Sequence, residues 1–518
     1  MSLDQLNVVA GSELCAFIAA ATPEVLDRAV GGESGALSER QAEAANHAWA
    51  WINENIDRLR TDVPTALASY DSGEGTSVAN VFHREAGGEF PEIDESDHLL
   101  NLLLTVARDA YPALLRPPDS ANALPLGRAP FRGLMLGDVS LGLSAAIYQH
   151  PLHSELATAI AADEDFAPAL HSEAAPGPLW IAGTGGSVKQ AEILGMELIG
   201  AAANDMLARS LPFQIGAFVG LVRDNVGRVR QLLHGETVDG WLVVGVSGLK
   251  LPDGASLSTP WGTVRPANRR QQLIQPFGSA GTAVLTSSFP LVLRLVAQGE
   301  QEPADTSFSE RVERMGKLLP LASLLATNHD PRVAPLIAWR TLLTPWDASP
   351  GMSASSLPSF PQAQPPELTQ ADLAEVENWS RRVEQNYRPS IDIAIRRTLS
   401  AIAERQDPGD GLIDAVMAWE NLCGAGMEVR FRVSAALAHL LESDPAQRLG
   451  RQKRLAKIYN LRSRIVHGSD TGATQVHNAR GEAIEVAIGA LRRFFSDRSD
   501  LLALNESQAR GDHLLLGL

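Results

Sequence analysis

The chain reads as a multi-domain, mainly α protein. A helical N-terminal module spans residues 1–118 and a mixed α/β module spans 119–345. A Pro- and Ser-rich linker follows over 346–370, then an all-α helical bundle over 371–518. Three observations predict this. The 518 residues suit two to four domains, at roughly 100–200 residues each. Charge is divided unevenly: the whole chain carries 44 Lys+Arg and 61 Asp+Glu, a net −17, yet residues 371–518 hold 20 of each, so the acidic excess lies wholly in residues 1–370. Between the two regions, Trp346 to Asp372 is rich in Pro, Ser and Ala and has no helical or strand period, the composition of a segment that buries little surface.

Taken in order, the elements follow from local signals. The start, MSLDQLNVVAGSELC, lacks a basic n-region and so does not read as a secretory signal. Ser38 to Arg60 and Asp97 to Leu115 carry the apolar spacing of helices. Asp94-Glu95-Ser96-Asp97 places acids at the positive end of the second. Pro117-Pro118 marks the join to the next module, and Asn122 to Arg132 is punctuated by Pro and Gly. Leu179 to Ala182 reads as a strand, Gly183 to Ser187 as a tight loop, and Val188 to Ser210 as a helix. A glycine loop between strand and helix is where backbone N–H groups can cradle a phosphate, but the Walker and dinucleotide spacings are absent. Trp241 to Val246, Gly262 to Val264 and Ala283 to Leu295 have strand composition, and Phe308 to Thr327 returns to the helical period. Thr369-Gln-Ala-Asp372 resembles a capping signature opening the bundle.

Several function classes fall away. Two cysteines, Cys15 and Cys423, build neither a disulfide framework nor a thiolate zinc site. His150, His153 and Glu155 bring metal-ligating side chains together, but Pro151 disturbs the helix that zinc spacing would need. The apolar run Glu197 to Val222 contains Asn204, Asp205, Arg209 and Gln214, which a bilayer span tolerates poorly. The expectation is a cytoplasmic protein with no membrane contact, no metal and no cofactor.

The most informative stretch is Arg448 to Gly468. It holds seven basic residues and no acidic one, and two of the chain's five lysines. On a helix at about 100° per residue with Ile458 at the origin, Leu455, Leu461 and Ile465 form an apolar stripe within about 60° of it. Lys453, Lys457 and Arg464 cluster on the opposite, solvated face. Arg462 falls at about 40°, inside the apolar stripe. A charge there calls for a carboxylate, a partner subunit or a phosphate. Glu420 and Glu428 are the carboxylates within reach, and a plain structural salt bridge is the competing explanation. Gly468 suits the position just past a helix end, so His467 should close the helix.

The string Tyr459-Asn-Leu-Arg462-Ser463-Arg-Ile-Val-His467-Gly468 resembles the signature of ApeA-like HEPN domains, an Arg followed four to six residues later by His. Upstream, Leu412 to Leu422 resembles the family helix that ends in an acidic residue, here Glu420, and Glu428 to Leu437 resembles its next helix. The likeness covers residues 372–518. It implies a HEPN helical bundle that pairs two such motifs across a homodimer. It also implies a metal-independent ribonuclease of the toxin or anti-phage, abortive-infection type. Arg462, His467, Ser463 and Tyr459 are then the catalytic candidates, and Lys453, Arg454, Lys457 and Arg464 the RNA-binding ones.

The residue types suit the chemistry. Histidine exchanges protons near neutral pH and can take one from a ribose 2′-hydroxyl. Arginine holds a phosphate bidentately. Residues five apart on a helix point about 140° apart, so either the helix ends before His467 or the two act across a dimer. Ser463 stands where active members often carry Asn, Asp or His, so the resemblance equally admits a non-catalytic adaptor that binds RNA or a nucleotide, or only dimerises. On the ribonuclease reading the acidic residues 1–345 would sense a phage or cellular trigger or hold the nuclease off. A third reading places the main activity in residues 119–345.

Overall fold

The computed structural model describes residues 2–59, 63–71, 75–117, 137–170, 179–181, 185–187, 190–268, 271, 282–295, 307–329, 333–348, 352–354, 364–424, 428–469 and 471–517. The N-terminal region is helical: α1 (Ser2–Ala10), α2 (Ser12–Ile18), α3 (Pro23–Val30), α4 (Glu39–Leu59), α5 (Val63–Ala68), α6 (Val78–Glu85) and α7 (His98–Ala110). A two-stranded ribbon, β1 (Tyr70–Asp71) and β2 (Thr76–Ser77), lies between α5 and α6. Asp97 caps α7 through Leu100 N at 3.0 Å, as its acid-rich start predicts. The join at Pro117-Pro118 and the run Asn122 to Arg132 fall, from Pro118 on, outside the described residues.

Four more helices follow, α8 (Gly137–Tyr148) and α9 (His153–Ala162) before the sheet's first two strands and α10 (Ala191–Ala208) and α11 (Ile215–Leu233) after them. No described helix is long and apolar enough to cross a membrane. The strands are β3 (Leu179–Ile181), β4 (Gly185–Ser187), β5 (Thr237–Ser247), β6 (Leu257–Thr259), β7 (Gly262–Pro266), β8 (Thr282–Leu295), β9 (Leu336–Leu343) and β10 (Met352–Ala354). They form one antiparallel sheet in the order β10-β9-β5-β8-β3-β4, with β7 also on β8 and β6 on β7. Leu242, Val244 and Val246 of β5 face the main core, while Val243 joins Val284, Trp339 and Leu343 in a small second core on the other face. Gly245 leaves room for the Trp339 indole, which a Cβ there would strike.

Of the glycine segment read as a tight loop, Gly185–Ser187 is instead a strand. Gly185–Ser187 pairs back on Leu179–Ile181, and the next helix begins only at Ala191. The backbone of these three residues is laddered on β3; Gly183, Thr184, Val188 and Lys189 lie outside the described residues.

The segment read as a linker is held down wherever it is described. Trp346 and Ala348 are buried. Asn204 Nδ2 donates to the Asp347 and Ala348 carbonyls at 3.1 and 3.0 Å. β10 pairs with β9, and Leu368 N donates to Lys250 O at 3.0 Å. A single tryptophan outweighs the polar composition around it because it buries so much area. Residues 355–363 lie outside the described residues.

Helix α12 (Ser307–Ala326) lies between β8 and β9 and packs on the bundle, which comprises α13 (Gln370–Asn386), α14 (Asp392–Ala403), α15 (Pro408–Cys423), α16 (Val429–Leu441), α17 (Pro445–Val466), α18 (Ala473–Phe495) and α19 (Ser507–Leu516). Thr369 and Asp372 close the expected capping box. The bundle does not stand apart. Arg314 and Lys317 of α12 pair with Glu384 and Asp392, each at 2.9 Å. Trp261 Nε1 donates to Glu384 at 2.8 Å. Arg492 of α18 donates to the carbonyls of Leu324, Leu325 and Thr327, closing the C-terminus of α12. One apolar core runs from Leu6 to Leu514.

Candidate active site

Two helix starts set the geometry. Asp407 caps α15, accepting from Gly409 N and Asp410 N, with Pro408 in the first turn. Asp444 caps α17 in the same way, with Pro445 following. Both obey the rule that an N-cap acceptor and a first-turn proline suit the helix N-terminus. Leu455, Ile458 and Leu461 are buried, as the helical period predicts.

Arg462 is brought against α15, its side chain 22% exposed and its Nη2 3.8 Å from Glu420 Oε2. The other carboxylate oxygen of Glu420 accepts from the Tyr459 hydroxyl at 2.5 Å. Burial, and then this hydrogen bond, push the Tyr459 hydroxyl up to about 12, so it stays protonated and donates. The Arg462 guanidinium lies 5.9 Å from the centre of the Tyr459 ring, and its Nε is buried without a hydrogen-bond partner. Of the two carboxylates the sequence offered, Glu420 is the one engaged. Glu428 is exposed, in a left-handed backbone conformation before α16. Ser463 is half-buried.

His467 closes α17. Ser469 N donates to Arg464 O and Gly468 N to Ile465 O, both at 2.9 Å, with Gly468 at φ +70°. This is the two-bond helix stop that glycine favours. The helix runs unbroken to that point, since His467 N still donates to Ser463 O at 3.1 Å. Arg462 and His467 therefore point about 140° apart on one helix: the first inward at Glu420, the second out to solvent. Within a single chain the two are not brought together.

His467 joins a different company. Lys453, Asn460 and His467 recur every seven residues, within about 40° of one another on the wheel, with Lys457 and Arg464 alongside; all five are exposed. Arg454 departs from this group, because its Nη2 lies 2.6 Å from Glu482 of α18. That pair holds the guanidinium above its ordinary range. Sequence reasoning missed Arg430, whose Nη1 donates to Asn460 Oδ1 at 3.1 Å; only the packing of α16 on α17 reveals it. The His150, His153 and Glu155 side chains, set aside as metal ligands from the sequence, do not converge. His150 is bonded to Asp109 at 3.3 Å and to Leu152 N, Glu155 turns to His98 at 3.7 Å, and His153 packs on Tyr148. Among the described residues no group of three or more His, Cys, Asp or Glu is arranged to hold a metal. No family model, curated protein or solved structure matches this chain.

Proposed function

We propose that the chain is an endoribonuclease of the HEPN type, using Arg462 and His467 and acting as a two-fold dimer on RNA. The observation that supports it best is the end of α17. An acid-free basic helix stops at an exposed histidine whose position is fixed by two backbone hydrogen bonds. His467 would take the proton of a ribose 2′-hydroxyl. The freed oxygen attacks the adjacent phosphorus and the 5′-oxygen leaves, taking a proton from the imidazolium of the second copy. The products are a 2′,3′-cyclic phosphate and a 5′-hydroxyl. Arg462, turning from Glu420 to the phosphate, would stabilise the charge that builds there. Because the two residues diverge on one helix, a second copy must supply the missing half of the site. The acidic residues 1–345 would then hold the nuclease off until a phage or cellular trigger is sensed.

The pairing of Arg462 with Glu420 favours a second reading, an RNA-binding adaptor without catalysis, since the cation already has its carboxylate. One assay separates the two: total RNA incubated with the purified protein in EDTA, with product ends mapped. The nuclease reading expects cyclic-phosphate ends that vanish in His467→Ala and in Arg462→Ala. Cleavage by both variants at the wild-type rate overturns it. Binding without cleavage in the wild type establishes the adaptor. Light scattering that finds only monomer at micromolar concentration removes the composite site.

A further inference from the structure

Phe431 is 55% exposed, the one aromatic among the large apolar side chains that the described residues of the bundle leave in water. Its neighbours along α16 define where it points. Ser434 is hydrogen-bonded by Gln452 of α17, Arg430 reaches Asn460 of α17, and Arg432 pairs with Asp512 of α19. Val433 is fully buried. At about 100° per residue the ring falls on the solvent side between Arg430 and Arg432. It therefore borders the exposed stripe of Lys453, Asn460 and His467. Glu428, three residues before it, is exposed, and Asp512 is matched by Arg432.

An exposed aromatic beside a basic track is the arrangement that binds single-stranded nucleic acid. The cations follow the phosphates, and the ring offers a face to an unpaired base. A duplex keeps its bases stacked on each other and offers no such face. We propose that Phe431 is a base-stacking platform, flanked by Arg430 as a phosphate contact, and that the bound RNA is single-stranded. This rests on the RNA-binding reading above and narrows its substrate class. The alternative occupant, a second protein surface, is disfavoured by the cations on either side of the ring along α16, Arg430 and Arg432.

The test uses the full chain, a fluorescein-labelled uridine 20-mer and a 20-base-pair RNA duplex, with binding read by anisotropy. Phe431→Ala should weaken the single strand about tenfold or more, leave duplex binding within twofold and keep the salt slope. Phe431→Trp should restore the affinity. Arg430→Ala should lower the salt slope by about one. Unchanged single-strand affinity in Phe431→Ala overturns the platform while leaving the ribonuclease reading intact. A Phe431→Ala protein that changes oligomeric state but not affinity assigns the ring to a protein contact and overturns it too. A wild type that binds neither probe overturns both readings together.

Discussion

Arg510 is wholly buried, and its guanidinium donates to the carbonyls of Asn421, Leu422, Leu504 and Asn505. Two of those carbonyls belong to the last turn of α15, the negative end of a helix, where a cation is welcome. Removing the side chain orphans four acceptors and opens a cavity. Arg510→Ala should destabilise the bundle by about 3–5 kcal/mol, read as a shifted denaturation midpoint, whereas Arg430→Ala on the surface should shift it hardly at all. His83 is a buried titrating group of the opposite kind. Burial, helped by Arg84, pulls its imidazole below the usual range, against its hydrogen bonds to the Phe17 and Glu89 backbone. The folded state thus resists the proton more than the unfolded chain does. Stability is full above about pH 6.5 and drains as the pH falls toward the lowered folded value. Denaturation at pH 7 and pH 5 should show a smaller loss for His83→Gln than for the wild type; equal losses would place the pH dependence elsewhere. At this scale the sequence was legible where a period could speak. Arg462 stands out against an apolar stripe, and its carboxylate was narrowed to two. Choosing Glu420 needed the crossing of α15 on α17, which no local pattern encodes.

Helix α17 shows how far such patterns reach for an element. Its buried stripe and its stop at Gly468 both follow from spacing and from a glycine where the backbone must turn left-handed. A Cβ at φ +70° is strained, so Gly468→Ala should cost about 1 kcal/mol. Hydrogen exchange across residues 464–469 should then quicken about fivefold, and RNA cleavage should fall because His467 loses its fixed seat. Unchanged exchange would show that the turn is held by something other than the glycine. The long helices α4, α7 and α12 and the strands β5 and β8 were equally readable from sequence, because each repeats its period many times. The hairpin of β3 and β4 was not. Gly-Gly-Ser carries no side-chain alternation, so only its partner strand reveals it as a strand.

Across the whole molecule, the boundary drawn at the Pro/Ser-rich segment does not divide the described structure into separate bodies. Glu384 serves Arg314 and Trp261 at once, and Arg492 closes α12 from the far side of that segment. Compositional reasoning sees a polar run between two charge regimes; it cannot see a guanidinium reaching carbonyls 165–168 residues away. A protease site inserted within 355–363 and cut should therefore yield two pieces that travel together on gel filtration and separate only in denaturant. Adding Arg492→Ala should loosen that association. Immediate separation of the wild-type pieces would mean the contacts are too weak to hold the halves.

That same guanidinium sets an order of events during synthesis. Leu318, Leu319, Leu321, Leu324 and Leu325 of α12 are buried in the finished protein, but the arginine that finishes the helix is made 165–168 residues later. At roughly 5–20 residues per second on the ribosome, α12 waits on the order of ten to thirty seconds with its end open. Over that interval the nascent chain offers chaperones an apolar helix, and the C-terminal bundle is completed only as the last helices emerge.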